Sequence, residues 1–445
     1  MNDLIVIGLG YVGLPLVREA TRAGMQVTGY DYSRDVTEGL NAGRSHVDDI
    51  SDADVKEMGL RGFRATSDPA ALGSAQVAVI CVPTPLSPEG GPDLTAVRGA
   101  TRTVAKMLRP GMLVVLESTS YPGTTDEVLR PILEEATGLT AGADFSLAFS
   151  PERIDPGNRE YELRTTPKIV GGHTPDCTRA AVQFYSRIVD QVVVAKGMRE
   201  AEMAKLLENT YRHVNIALVN EMAVFCHEMD IDLWDVIRCA STKPFGFHAF
   251  HPGPGVGGHC IPIDPNYLAD RVSQECGHPF RFVELAQEIN SRMPVYVVDR
   301  AAEMLNTKAK AVNGSLVLLL GVTYKADIAD QRETPATAIV RKLRARGAEV
   351  AYHDPFVNGW QVDGQPVRQV TDYPESADLV ILLQEHSAYD LAHLAEETAL
   401  LLDTSGHVPA GKNVEALLRG PGARCLKWPS RRRWHALPVS LLPRR

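Results

Sequence analysis

Short apolar runs alternate with amphipathic stretches through the first part of the chain. Leu4-Ile5-Val6-Ile7 is apolar throughout, as a strand covered on both faces of a parallel sheet requires. Gly8-Leu9-Gly10-Tyr11-Val12-Gly13 follows directly. A helical stretch over 14–23 stops at Gly24, and a second strand-like run over 26–30 ends at Asp31. Further strand-like runs lie at 77–82, 113–116, 146–149, 168–170 and 191–194, with helical stretches such as 95–108 and 125–136 between them. This alternation predicts a doubly wound parallel sheet.

The periodicity changes near Arg199. From there to Met229 the chain is amphipathic and free of glycine and proline, which predicts one long helix or two abutting ones. A helix is expected over 232–240, a loop rich in Gly, Pro and His over 244–265, and helices again over 281–290 and 294–305. Strand-like runs resume at 316–320, 349–352, 379–383 and 400–403, with a helix over 337–346. The expected fold class is α/β, with two Rossmann-like doubly wound domains joined by a central helical domain. The expected boundaries are 1–197, 198–312 and 313–423, and no sequence repeat links the two α/β units. From Arg424 onward come Arg424, Lys427, Arg431, Arg432, Arg433, Arg444 and Arg445 with no acidic residue, so 424–445 is expected to be a basic, disordered tail.

Composition removes several classes. Hydrophobic residues make up 44% and charged residues 23%, which excludes disorder as a global description. The net charge of −9 argues against broad nucleic-acid binding. No apolar run approaches the ~20 residues that span a bilayer, and no leader is visible, so a cytoplasmic protein with no membrane partner is expected. The seven cysteines are odd in number and include no CxxC pair, which fits neither a secreted disulfide framework nor structural zinc.

Five segments carry candidate chemistry. In Gly8-x-Gly10-x-x-Gly13, the glycines allow a tight turn, close approach of a pyrophosphate and close helix packing. Asp31 stands where a carboxylate accepts bonds from an adenosine ribose, which favours NAD; Arg34 nearby keeps NADP open. Val82-Pro83-Thr84-Pro85 and Glu117-Ser118-Thr119-Ser120-Tyr121 each follow an expected strand, where a doubly wound sheet lines its ligand crevice. Lys205 and Asn209, spaced i,i+4, share a helix face; they are either simply exposed or poised to stabilise a developing alkoxide. In Gly255-Val256-Gly257-Gly258-His259-Cys260, with Asp264 beyond, Cys260 reads as a metal ligand, half of a thiol–imidazole pair, or a covalent nucleophile. Lys325 and Arg332, after the first strand of the third unit, suit a diphosphate or a carboxylate.

Together these residues resemble the UDP-glucose/GDP-mannose dehydrogenase family, from Leu4 to about Ser405 and in the right order. The resemblance implies oxidation of the C6 hydroxymethyl of a nucleotide sugar to a carboxylate with two NAD, no metal, a UDP-binding third unit and a homodimer through the helical middle. It implies Cys260 as nucleophile, passing through a thiohemiacetal and a thioester; the other six cysteines read as small apolar fillers. It gives Lys205 and Asn209 the stabilisation of oxygen charge, Asp264 the activation of cysteine or water, Thr119 the ordering of that water and Glu152 acid–base work. Cofactor contacts are implied at Gly8, Gly10, Tyr11, Val12, Gly13, Asp31, Arg34, Pro83, Thr84, Thr119 and Arg332. Substrate contacts are implied at Glu152, Arg153, Lys205, Asn209, Arg212, Phe250, Gly257, His259 and Lys325.

Within the family, Ser150-Pro151-Glu152-Arg153, Tyr211-Arg212-x-Val214-Asn215 and Gly258-His259-Cys260-Ile261-Pro262 look like the UDP-N-acetylhexosamine enzymes. Tyr121-Pro122-Gly123-Thr124-Thr125 is most similar to their UDP-N-acetylglucosamine branch. The alternatives are a UDP-glucose or a UDP-N-acetylmannosamine dehydrogenase. More remote are a one-step hydroxyacid-type dehydrogenase and a non-catalytic nucleotide-sugar binder.

Overall fold

The computed structural model describes residues 2–73, 75–87, 91–155, 161–258, 261–371, 373 and 377–417; the basic stretch from Arg424 lies outside them. Eight strands form the first sheet: β1 (Asn2–Ile7), β2 (Val27–Tyr30), β3 (Phe63–Thr66), β4 (Ala75–Ile80), β5 (Leu113–Leu116), β6 (Ser146–Phe149), β7 (Lys168–Gly172) and β8 (Val192–Val194). Their order is β3-β2-β1-β4-β5-β6-β7-β8. The sheet departs from the expected all-parallel form at one pair, because β7 runs antiparallel to β6. β6 runs parallel to β1, β4 and β5, so residues 150–155 that follow it leave the sheet at the same end as those strands' carboxyl ends. That segment contains Glu152, Arg153 and Asp155.

The later strands are β9 (Leu316–Leu320), β10 (Glu349–His353), a hairpin of β11 (Gln361–Val362) and β12 (Gln365–Pro366), β13 (Arg368–Gln369), β14 (Leu379–Leu382), β15 (Leu401–Asp403) and β16 (Val414–Ala416). The second sheet is parallel, in the order β13-β10-β9-β14-β15-β16. Its order repeats that of the first six strands of the other sheet, the doubly wound arrangement.

The likeness extends to the turns. Gly8 after β1 has φ +94°, and a Cβ there would lie 2.7 Å from the Cys81 carbonyl oxygen. Gly321 after β9 has φ +74°, and a Cβ there would lie 2.6 Å from the Gln384 carbonyl oxygen. Asp31 at the end of β2 accepts a bond from Leu9 N (3.1 Å), as Asp354 at the end of β10 accepts one from Val322 N (2.7 Å). In each unit a carboxylate on the second strand braces the turn that leaves the first.

The middle is helical. Met198–Glu228 is one unbroken helix. The two helices expected near 281–305 are also one, Arg281–Thr307, with Pro294 inside it. Proline lacks an N–H, so the Asn290 carbonyl loses its bond from position 294, and the helix continues past it. A further helix, Asp264–Cys276, occupies the end of the expected loop and the residues beyond it. Val219, Ala223, Leu233, Val297 and Ala301 of the helical middle bury themselves in one cluster with Val317, Leu319, Ile339 and Val340 of the third unit. The helical middle and the second sheet thus share a core. Cys81, Cys177 and Cys226 are buried, whereas Cys239 and Cys276 are exposed, contrary to the filler role expected of them. Among the described residues no helix is long and apolar enough to cross a membrane.

Gly13 is where packing admits no side chain, since a Cβ would lie 1.9 Å from the Gly8 carbonyl oxygen. Gly13→Ala is expected to cost about 2–3 kcal/mol and lower Tm in a calorimetric scan. Gly10→Ala, whose Cβ meets nothing within 4 Å, is expected to leave Tm nearly unchanged and to weaken dinucleotide binding. Equal melting of Gly13→Ala and wild type would contradict this packing.

Candidate active site

The strand order reverses between β1 and β4, the place where a doubly wound sheet holds its ligand. The residues there fit a dinucleotide. Space is open beside Gly10. The helix Gly13–Arg22 begins at Val12 without a side-chain cap, so its first N–H groups face the turn. Asp31 uses one lone pair on each oxygen, for Leu9 N and Ser33 N (3.0 Å), and the remaining pairs suit ribose hydroxyls. Arg34 is exposed, one residue beyond. The Tyr11 ring lies under the Arg332 guanidinium at 5.2 Å, so the third unit closes over the glycine turn. Arg332 is itself gripped by Asp330 at 2.6–3.0 Å.

Pro83 and Thr84 follow β4, with Pro83 exposed and Thr84 buried. The Tyr267 hydroxyl, fully buried on the helix Asp264–Cys276, donates to the Thr84 carbonyl. Arg271 on the same helix covers the Tyr121 ring at 5.1 Å and bonds Glu127 at 2.7 Å. Both strand-end loops are therefore tied to the helix that begins with Asp264.

Lys205, Asn209 and Asp264 are buried together, which decides against the exposed reading of the helix face. Lys205 and Asn209 lie one turn apart on the long helix, and Asn209 Nδ2 donates to Asp264 Oδ2 at 2.5 Å. Burial pushes the Asp264 carboxyl up to about 7, against the pull of Lys205 and the bond from Asn209. It therefore changes charge near neutral pH, as a group that gives and takes protons must.

The glycine-rich segment packs between the middle and the third unit. Gly253 N donates to Asn220 Oδ1 (3.0 Å), Asn220 to Asn290 (2.9 Å), and Asn290 to the His213 carbonyl (3.3 Å). A Cβ at Gly257 would lie 2.6 Å from Tyr324 Cβ, and Gly258 N donates to the Arg332 carbonyl (3.1 Å). His259 and Cys260 lie outside the described residues; Gly258 and Ile261 flank them, just before Asp264. Phe250 meets Tyr211 edge-on at 5.6 Å, and Arg212 is exposed.

Glu152 is drawn inward. Its Oε1 accepts from Arg153 N (2.6 Å) and Ile154 N (2.5 Å), and its Oε2 from Lys168 Nζ (3.2 Å). Lys168 also bonds Glu117 (3.1 Å), which accepts from the Tyr185 hydroxyl. Burial alone would push the Lys168 ammonium down; Glu117 and Glu152 more than offset it and hold it charged. Arg153 pairs with Glu208 (2.8 Å) and donates to the Pro167 carbonyl (2.6 Å). Lys325 reaches across from the third unit to Asp155 at 2.7 Å. Thr119 is half-buried after β5.

Sequence reasoning missed Glu202, Tyr267, Arg271 and Lys168. Only Glu202 left a local signal, because it lies i−3 from Lys205 on one helix face. It is fully buried and accepts from Gly123 N (2.5 Å), Thr125 N (2.9 Å) and Thr125 Oγ1 (2.7 Å). Burial pushes its carboxyl up to about 7 against those donors and Arg199.

Two nucleotide-binding sheets closing on a buried lysine, amide and carboxyl define a dinucleotide-dependent oxidoreductase. The chain belongs to the UDP-glucose/GDP-mannose dehydrogenase family. The family's NAD binding domain matches residues 2–189, its central domain 199–292 and its UDP binding domain 318–410. The chain is 35% identical to a UDP-N-acetyl-D-mannosamine dehydrogenase of Pyrococcus horikoshii, over 87% of this chain and 90% of that one. It is 36% identical to a UDP-N-acetyl-D-glucosamine 6-dehydrogenase of Pseudomonas aeruginosa, over 80% and 84%. A solved UDP-D-ManNAc dehydrogenase structure from Pyrococcus horikoshii superposes with a TM-score of 0.85 at 32% identity, covering 94% of this chain and 99% of that one. The protein is an NAD-dependent UDP-sugar dehydrogenase.

A carboxyl raised from 3.8 to about 7 keeps a proton that the unfolded chain has lost, so its contribution to stability falls as pH rises between those values. Asp264→Asn is expected to shift the stability difference in the variant's favour as pH goes from 5 to 8. It is also expected to cut kcat roughly a hundredfold or more. Paired calorimetry and rate measurements check both; a pH-independent difference would contradict the assignment.

Proposed function

We propose that the chain oxidises the C6 hydroxymethyl of a UDP-N-acetylhexosamine, UDP-N-acetylglucosamine in particular, to the carboxylate in two successive two-electron steps. The observation that carries this reading is the buried Lys205, Asn209 and Asp264 group, with Asp264 four residues after Cys260 in the chain. Bound NAD supplies the hydride acceptor for each oxidation. In sum, alcohol, water and two NAD⁺ give carboxylate, two NADH and three protons.

Lys205 and Asn209 stabilise charge on the C6 oxygen while Asp264, titrating near 7, moves the proton. The Cys260 thiol adds to the aldehyde carbonyl, forming a C–S bond and passing its proton to the oxygen. The second oxidation leaves a thioester. Water, ordered by Thr119, attacks it; the C–S bond breaks, the thiolate leaves and regains a proton, and the acid ionises. Glu152, fixed by Lys168, is the second carboxylate assigned to proton transfer. Arg153, Arg212, Phe250, Gly257, His259 and Lys325 are assigned to the nucleotide sugar. The loop Tyr121-Pro122-Gly123-Thr124-Thr125 and the Pseudomonas aeruginosa relative support the glucosamine form, and the Pyrococcus horikoshii relative supports the mannosamine form. A cytoplasmic setting suits soluble nucleotide sugars.

Purified protein is expected to prefer UDP-N-acetylglucosamine to UDP-N-acetylmannosamine and UDP-glucose in kcat/KM, and to release two NADH per sugar. Cys260→Ser is expected to lose turnover after the first oxidation. One NADH per sugar with an indifferent Cys260→Ser would sink the mechanism. A higher kcat/KM for either rival sugar would sink only the substrate assignment.

A homodimer is part of the reading. Met203, Leu207, Tyr211, Leu218, Phe225 and Met229 stand exposed at helical spacing along one face of the long helix, and a second copy of that face is a suitable cover. Light scattering is expected to report twice the chain mass for wild type and a monomer for Leu207→Glu. A monomeric wild type would refute the dimer.

A further inference from the structure

We infer that Glu202 is the residue that positions the Thr119 segment against Lys205 and Asn209, so that water reaches the thioester; this rests on the covalent reading above. Thr119 lies between two anchored points. On one side, the Ser118 hydroxyl donates to the Val82 carbonyl at 2.7 Å, fixing the end of β5 to the loop after β4. On the other, the turn Tyr121–Thr124 is closed by Thr124 N and its hydroxyl on the Tyr121 carbonyl (3.1 and 2.7 Å). That turn is fastened by Glu202: one carboxylate oxygen accepts Gly123 N, the other accepts Thr125 N and Oγ1. Gly123 sits at φ +104°, a backbone conformation that glycine adopts without strain.

Glu202 is rigidly joined to the catalytic pair, because it sits one turn before Lys205 on the same unbroken helix. Its carboxylate therefore sets the spacing between the groups that hold oxygen charge and the hydroxyl that orders water. Overall folding has other supports here. Arg199 and Arg271 hold Glu127 at 2.9 and 2.7 Å, and Arg271 covers Tyr121. Both oxygens of Glu202 accept from N–H or O–H donors, so glutamine, with one oxygen and one NH₂, can serve only one side.

The test is Glu202→Gln, with Thr119→Ala as control, in the full-length enzyme turning over UDP-N-acetylglucosamine and NAD. Acid-quenched samples are read by intact-mass spectrometry. Glu202→Gln is expected to bind NAD within twofold of wild type, to lose at least tenfold in kcat and to accumulate the acyl adduct on Cys260, as Thr119→Ala does. A slow Glu202→Gln enzyme without adduct, beside a Thr119→Ala enzyme that has it, would overturn the positioning role. Absence of adduct in Thr119→Ala would instead overturn the water-ordering role of Thr119 on which the inference rests. Should Glu202→Gln not fold, Glu202→Asp, which keeps the charge and withdraws it by one methylene, is read in the same way. Failure of both to fold would make Glu202 a stability element and end the proposal.

Discussion

The site depends on the buried bond from Asn209 to Asp264. Asn209 belongs to the long helix and Asp264 opens the helix that follows the thiol loop, so this bond sets the distance between two halves of the chemistry. It is costly to make. A carboxyl withdrawn from water, with a lysine and an amide pulling against that cost, is left near its titration point at neutral pH. The same cost makes the group useful, since a carboxyl poised there exchanges protons readily.

The helix that begins at Asp264 spreads this constraint. Tyr267 reaches the Thr84 loop, and Arg271 reaches Tyr121 and Glu127. Glu202 approaches the same turn from the long helix. The ties are of different kinds: Tyr267 and Glu202 bond as buried groups, whereas Arg271 covers an aromatic face and pairs with a partly exposed carboxylate. The loops after β4 and β5 and the long helix are thereby joined to one another.

The two sheets show how one solution serves two nucleotides. Asp31 and Asp354 each brace the turn after a first strand, and Gly8 and Gly321 each make room for a neighbouring carbonyl. These pairs are far apart in sequence, and the second lacks the three-glycine pattern. A repeat kept by backbone geometry and a single carboxylate leaves no visible sequence period. Asp354 differs in also bonding a fully buried histidine, His386, at 3.1 Å.

Local chemistry alone determined a good deal. Apolar runs announced most of the larger strands, and a stretch free of glycine and proline announced the long helix. The glycine turn with Asp31, and the i,i+4 spacing of Lys205 and Asn209, were legible because their neighbours lie within one turn or one βαβ unit. Tertiary structure decided the rest. The antiparallel β7, the helix running through Pro294 and the helix Asp264–Cys276 depend on packing partners distant in the chain. Glu152 turned toward Lys168 and Arg153 toward Glu208 for the same reason. A side chain's spacing says which face it shares. Which charge, donor or carbonyl waits opposite that face is set only when the chain has folded.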